Sequence, residues 1–198
     1  MIDLIFLPSE EEENKKLKRA QSLVGTSVGR PEFDYYITPP KATQKLLEVE
    51  HFHGGIWEPA CGNGAICEVL KASGHVNILA TDLIDRGYGE TPHDFLTSPY
   101  KCDNVITNPP FTLAEQFVKL SLERTTEKVA MLCKLQFLEG VKRKTMFETT
   151  PFKSVWVFSK RITMARNGER KKYSSSMIAF AWFVWEHGYK GEPKIGWL

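Results

Sequence analysis

Gly54-Gly55-Ile56-Trp57-Glu58-Pro59-Ala60-Cys61-Gly62-Asn63-Gly64 is followed by Ala65 to Ala72, in which Ile66, Val69 and Leu70 fall on one side. A short strand ending at Glu58, a turn of small residues and glycines, and a helix make the first βα unit of a nucleotide-binding α/β sheet. The stretch departs from the dinucleotide fingerprint. Counting from Gly62 and Gly64, the third glycine or alanine would fall at Cys67, and the loop opens on a carboxylate. Glu58 would repel a pyrophosphate and attract a cationic ammonium or sulfonium ligand.

The next buried strand reads as Val76 to Thr81 and ends in Asp82, 18 residues after Gly64. An acid at about that distance, at the end of the second strand, is where a ribose diol is bound. Asp94, in Thr91-Pro92-His93-Asp94-Phe95, could accept a hydrogen bond from an adenine amino group. His93 beside it resembles half of a dyad, but neighbours on an extended chain point to opposite faces.

Asp103-Asn104-Val105-Ile106-Thr107 reads as another buried strand, and Thr112 to Arg124 as a helix. Between them lies Asn108-Pro109-Pro110-Phe111, at the carboxyl edge where open α/β sheets bind ligands. Two prolines make a stiff bend, so the Asn108 side-chain oxygen and the Pro109 carbonyl can both serve one pocket as acceptors. Two such acceptors suit a planar amino group. The lone pair of an amine on an aromatic base is delocalised; accepting both of its protons localises that pair and makes the nitrogen nucleophilic. Phe111 offers a ring face for a flat base.

Upstream, Thr38 is placed to cap a helix over Lys41 to Phe52, with Pro39 in its first turn. Residues 1 to 30 read as a charged arm, Glu10 to Glu13 leading Lys15, Lys16, Lys18 and Arg19. Downstream, Lys128 to Leu135 is an apolar strand and Phe137 to Phe147 a helix with Lys142, Arg143 and Lys144 on one side. Ser154 to Ser159 and Met177 to Glu186 are aromatic and β-branched strands joined by a loop, and hence antiparallel neighbours. Gly188 to Leu198 reads as an irregular tail. The joining loop holds Lys160, Arg161, Arg166, Arg170, Lys171 and Lys172 against Glu169 alone, which marks it for phosphate contact.

The chain's 198 residues fit one domain, 31–198 after the arm, and 42% hydrophobic with 25% charged residues is ordinary globular composition. A net charge of +2 assigns no partner, so a nucleic-acid footprint must be local. Cys61, Cys67, Cys102 and Cys133 form no CxxC pair, and no histidine cluster has ligand spacing, so no metal is expected. With no secretory leader and no apolar run of spanning length, the expected setting is cytoplasmic, away from membranes.

The order Tyr-x-Thr-Pro-Pro, Glu-Pro-Ala-Cys-Gly-x-Gly, Thr-Asp, Asp-Phe and Asn-Pro-Pro-Phe resembles the amino-methyltransferases that use S-adenosylmethionine. It is most similar to adenine-N6 DNA methyltransferases, including small phage and prophage-borne members. The resemblance implies a Rossmann-like class I methyltransferase fold, an α/β sheet of about seven mostly parallel strands with a C-terminal antiparallel strand and helices on both faces. It implies that Thr38 helps hold the methionine carboxylate, that Glu58, Ala60, Gly62 and Gly64 shape the methionine end, and that Asp82 and Asp94 bind the ribose and adenine. Asn108, Pro109, Pro110 and Phe111 would form the catalytic pocket. Arg161, Arg166, Arg170, Lys171 and Lys172 would meet nucleic acid, namely DNA with its target base flipped out. Larger members carry a separate target-recognition domain, for which this chain has no room, so the expected sequence preference is loose or short. The same tetrapeptide occurs in RNA methyltransferases, and a variant in those acting on protein glutamine. A cofactor-binding phage protein without catalysis is the remaining alternative.

Overall fold

A computed structural model describes residues 35–166 and 178–198. The charged arm of residues 1 to 30 lies outside them, as do Arg170, Lys171 and Lys172. In chain order the elements are β1 (Tyr36–Ile37), α1 (Pro40–Val49), β2 (Ile56–Glu58), α2 (Ala65–Ala72), β3 (Ile78–Ala80), β4 (Cys102–Thr107) and α3 (Ala114–Arg124). They continue with β5 (Thr125–Lys134), a 3-10 turn (Leu135–Leu138), α4 (Val141–Thr149), β6 (Phe152–Val157), β7 (Ala165–Arg166), β8 (Phe180–Glu186) and β9 (Lys194–Trp197).

Seven strands form one sheet in the order β3-β2-β4-β5-β8-β6-β9. β3, β2, β4 and β5 are mutually parallel, β8 runs against both β5 and β6, and β9 lies parallel to β6. The expected sheet, with its reversed late strand, is present. Continuous apolar runs are the mark of strands covered on both faces, and the pairing of β5 with β8 shows it. Val129, Met131 and Cys133 join Ala181, Phe183 and Trp185 in one core, beneath Phe117 and Val118 of α3. Ala130 and Leu132 join Trp182 and Val184 in the other, beneath Ala42 and Leu46 of α1 and Ile66 and Leu70 of α2. Trp182, Phe183 and Trp185 are fully buried, and each such ring removes on the order of 200 Å² from water, roughly 5 kcal/mol of transfer free energy.

Four local expectations are corrected. The strand expected over Val76 to Thr81 shrinks to Ile78–Ala80 and is only half-buried, with Val76 in solvent, because β3 is the sheet's edge. The helix expected over 137–147 is broken at Gly140, whose φ of 108° ends the 3-10 turn and starts α4. The irregular tail contains β9. That strand is held by backbone pairing to β6 more than by burial, and Gly196 lets it lie on the Trp156 ring, where a Cβ would come 2.1 Å from Cζ3. Finally, Thr38 does not cap α1. Pro39 holds the cap position with no side-chain bond, and the Thr38 hydroxyl is engaged elsewhere.

Candidate active site

The parallel strands aim their carboxyl ends at one edge, and a cavity of about 1030 Å³, open mouth included, lies there. Of the residues singled out from sequence, Thr38, Glu58, Ala60, Gly62, Asp82, Asp94, Asn108 and Pro110 line it. Gly64, Pro109, Phe111 and Arg161 do not.

Glu58 closes β2 and is completely buried. Its Oε1 accepts the Ala60 N–H at 3.1 Å; its Oε2 makes no hydrogen bond of good geometry and has the Thr107 hydroxyl as its polar neighbour. Loss of hydration pushes this carboxyl up to about 8. A buried carboxyl with one idle oxygen in a cavity wall is a place for a cation. Asp82 follows β3 and binds the glycine turn. Its Oδ2 accepts the Gly62 N–H at 2.8 Å, and its Oδ1 accepts the Ile84 N–H at 2.9 Å and pairs with Arg86 at 3.4 Å. Burial raises its pKa. Gly62 has φ 55°, and a Cβ there would stand 2.8 Å from the Tyr35 ring. Gly64 turns instead toward Tyr88 and leads into α2.

Asn108 directly follows β4. Its Nδ2 donates to the Tyr36 carbonyl at 3.0 Å and to Thr38 Oγ1 at 3.1 Å. Two acceptors on the nitrogen fix which end of the amide is which, and Oδ1 is left buried without a partner. Phe111 points away from the cavity. Its ring meets Tyr36 and Phe180 with centroids 5.4 Å and 5.9 Å away, and Lys134 Nζ lies 4.6 Å from its centroid. The Pro110 carbonyl accepts the Leu113 N–H, which closes the turn into α3.

Asp94 Oδ1 accepts the Leu96 N–H at 2.9 Å. His93 also reaches the cavity, because the chain turns here instead of running extended; its Nε2 lies 2.8 Å from Ser98 Oγ and its ring stacks on Tyr100. Arg86 and Tyr35 were not singled out from sequence. The guanidinium sits 4.1 Å from the Tyr35 ring centroid, and both residues line the cavity beside Asp82. The spacing of Arg86 four residues after Asp82 was the available signal, but a loop in sequence gives no facing surface. Arg161 is exposed after β6, and Arg166 pairs in register with Tyr36 through β1 and β7. Among the described residues, no group of three or more His, Cys, Asp or Glu is placed to hold a metal ion. None of their helices is long and apolar enough to cross a membrane.

Known structures resemble this architecture at low sequence identity. A Pyrococcus horikoshii protein provisionally designated an RNA methyltransferase superposes with a TM-score of 0.61 at 14% identity, over 87% of this chain and 98% of its own. A Listeria monocytogenes protein provisionally designated a class I S-adenosylmethionine-dependent methyltransferase gives 0.55 at 16%, over 96% and 72%. The fold is that of a class I methyltransferase. The M protein of the type I restriction enzyme EcoKI shares it at 0.53 and 14%, with 77% of this chain covering 44% of that longer one. No family model matches the sequence. No curated protein matches it either. In this class I methyltransferase fold the cavity lies at the carboxyl ends of β2 and β4, with Glu58 and Asn108 as the terminal side chains.

Proposed function

We propose that this chain transfers a methyl group from S-adenosylmethionine to an exocyclic amino nitrogen, namely adenine N6 in DNA. The observation that carries the reading is the Asn108 amide, its nitrogen held by Tyr36 and Thr38 and its oxygen left without a partner at the cavity.

The residues present suit the cofactor. Glu58 has an idle buried oxygen for its ammonium group, Asp82 and Asp94 supply carboxylates farther along the wall, and the volume suits a nucleoside with an amino-acid tail. When bound, S-adenosylmethionine supplies an electrophilic methyl on sulfur, and the N–C bond forms as the S–C bond breaks. Asn108 Oδ1 accepts a proton of the incoming amine, a bond that strengthens as the nitrogen becomes cationic and therefore stabilises the transition state more than the ground state. The proton lost from the nitrogen passes to water. Pro109 and Pro110 hold the bend rigid, and Phe111 serves the base only after turning from its Tyr36 and Phe180 packing. A duplex substrate requires the adenine to be flipped out.

Incubation with methyl-labelled S-adenosylmethionine and separate DNA, RNA and protein substrates tests this. Label is expected in N6-methyladenine of DNA and absent with Asn108→Ala. Label in protein alone, or in no substrate despite cofactor binding, overturns the proposal.

A further inference from the structure

Two apolar side chains stand in solvent beyond the carboxyl end of β5, Leu138 at 39% exposure and Val141 at 86%. They lie on the link from β5 to α4. β5 is the direct neighbour of β4, with Met131 opposite Thr107, so it ends next to the Asn108 turn. Lys134, its last residue, reaches over the Phe111 ring. Phe137 then roots the link, buried and packed edge-on against Phe147 and Phe183. Gly140 turns it outward into α4. Arg143 binds the start of α4 to the first turn of α3, through Glu115 at 3.3 Å. Pro110 and Leu113, which lead into that same turn of α3, line the cavity. The exposed pair thus sits on a rooted tip tied to α3, whose leading turn lines the site.

The surroundings of the tip are cationic. Lys134, Lys142, Arg143 and Lys144 stand against Glu139 within eleven residues. Lys142 is exposed, and Lys144 keeps 72% side-chain exposure while pairing with Glu148 at 3.7 Å. Arg143 is held by Glu115 and Lys134 by the Phe111 ring, so Lys142 and Lys144 are the cations the tip presents; an apolar projection beside them fits an opened duplex. Aliphatic side chains enter the stack where base pairs part, and ammonium groups take the flanking phosphates.

We infer that Leu138 and Val141 form a wedge that enters duplex DNA and fills the space vacated by the flipped adenine, with Lys142 and Lys144 on the adjoining phosphates. The inference rests on the amino-methylation reading and adds to it the element that opens the duplex.

The test uses the full chain carrying Leu138→Ala and Val141→Ala. Three DNA substrates are compared: a duplex, its target strand alone, and a duplex with the target adenine opposite an abasic site. Methylation of the intact duplex should fall about tenfold or more, since unstacking costs a few kcal/mol, while the single strand changes by no more than about twofold. The abasic duplex should recover most of the loss. Val76→Ala, an exposed valine before β3 at the opposite sheet edge, should leave all three rates unchanged. Equal loss on duplex and single strand, no loss on either, or a wild-type protein that methylates single strands only overturns the wedge. A wild-type protein that methylates no nucleic acid instead locates the failure in the amino-methylation reading.

Discussion

Asn108 is one amide whose two ends have been sorted by its neighbours. Thr38 contributes half of that sorting, through a hydroxyl that the sequence marks as a helix cap and the family resemblance assigns to the methionine carboxylate. Thr38→Val should lower kcat by roughly tenfold to a hundredfold with little change in cofactor affinity, and Thr38→Ser should restore it. A large rise in cofactor Kd with kcat intact would return Thr38 to the carboxylate. Glu58 gives a prediction in pH. Its carboxyl titrates at about 8 when folded, against an ordinary 4.5, so the folded chain holds a proton that the unfolded chain releases between those values. Stability from this group is full below 4.5 and is lost as pH rises toward 8. Glu58→Gln should therefore flatten the decline of the unfolding midpoint between pH 5 and 8. A cationic ligand favours the ionised form, so cofactor affinity should tighten as pH rises toward about 8 in the wild type and lose that trend in the variant. Glu58 and Asn108 were legible because residue type and position at a strand end suffice to nominate them. The outward turn of Phe111 and the stacking of Arg86 on Tyr35 were not, since both depend on packing between segments far apart in sequence.

Among elements, the sheet's interior strands were readable from composition, while its edges were not. β3 and β9 are short and poorly covered, so burial leaves little pattern in them, and backbone pairing alone decides where they lie. The opposite rim of the sheet carries an anchor that periodicity cannot show. Glu50, just past α1, is 2% exposed. Its Oε2 takes Lys128 at 3.1 Å and Lys153 at 3.0 Å, and its Oε1 takes Ser154 at 3.1 Å and Trp156 at 3.0 Å. Burial pushes this carboxyl up, but the bonds from Lys153, Trp156 and Lys128 together outweigh it and hold the group below its ordinary value. Its contribution is thus present above the unfolded pKa and disappears as pH falls through the lowered one. Glu50→Ala should cost about 3 kcal/mol in denaturant unfolding at pH 7, and the difference from wild type should shrink as pH falls below the ordinary 4.5. A cost under about 1 kcal/mol would reduce the cluster to surface pairing.

For the molecule as a whole, near-neutral net charge leaves the proposed nucleic-acid affinity to local clusters. Replacing Arg166, Arg170, Lys171 and Lys172 together should weaken DNA binding and lower its salt slope by up to about four, with cofactor affinity unchanged. An unaltered slope would remove that loop from the interface. The fold class was legible because βα units announce themselves in order. The cavity's wall was not legible in the same way, because it draws on Tyr35, Thr38, Asp94 and Leu113, which no single motif contains. The ladder between β1 and β7 carries a mechanical consequence. Tyr36, whose carbonyl steers Asn108, pairs with Arg166 at the root of the basic loop, beside the Ile37–Ala165 pair, so a load taken up by that loop would reach the amide through these two pairs. Grip on a polyanion should slow hydrogen exchange at the Tyr36 and Ile37 amides before any methyl is transferred, and a chain whose exchange there ignores DNA would have its clamp and its chemistry uncoupled.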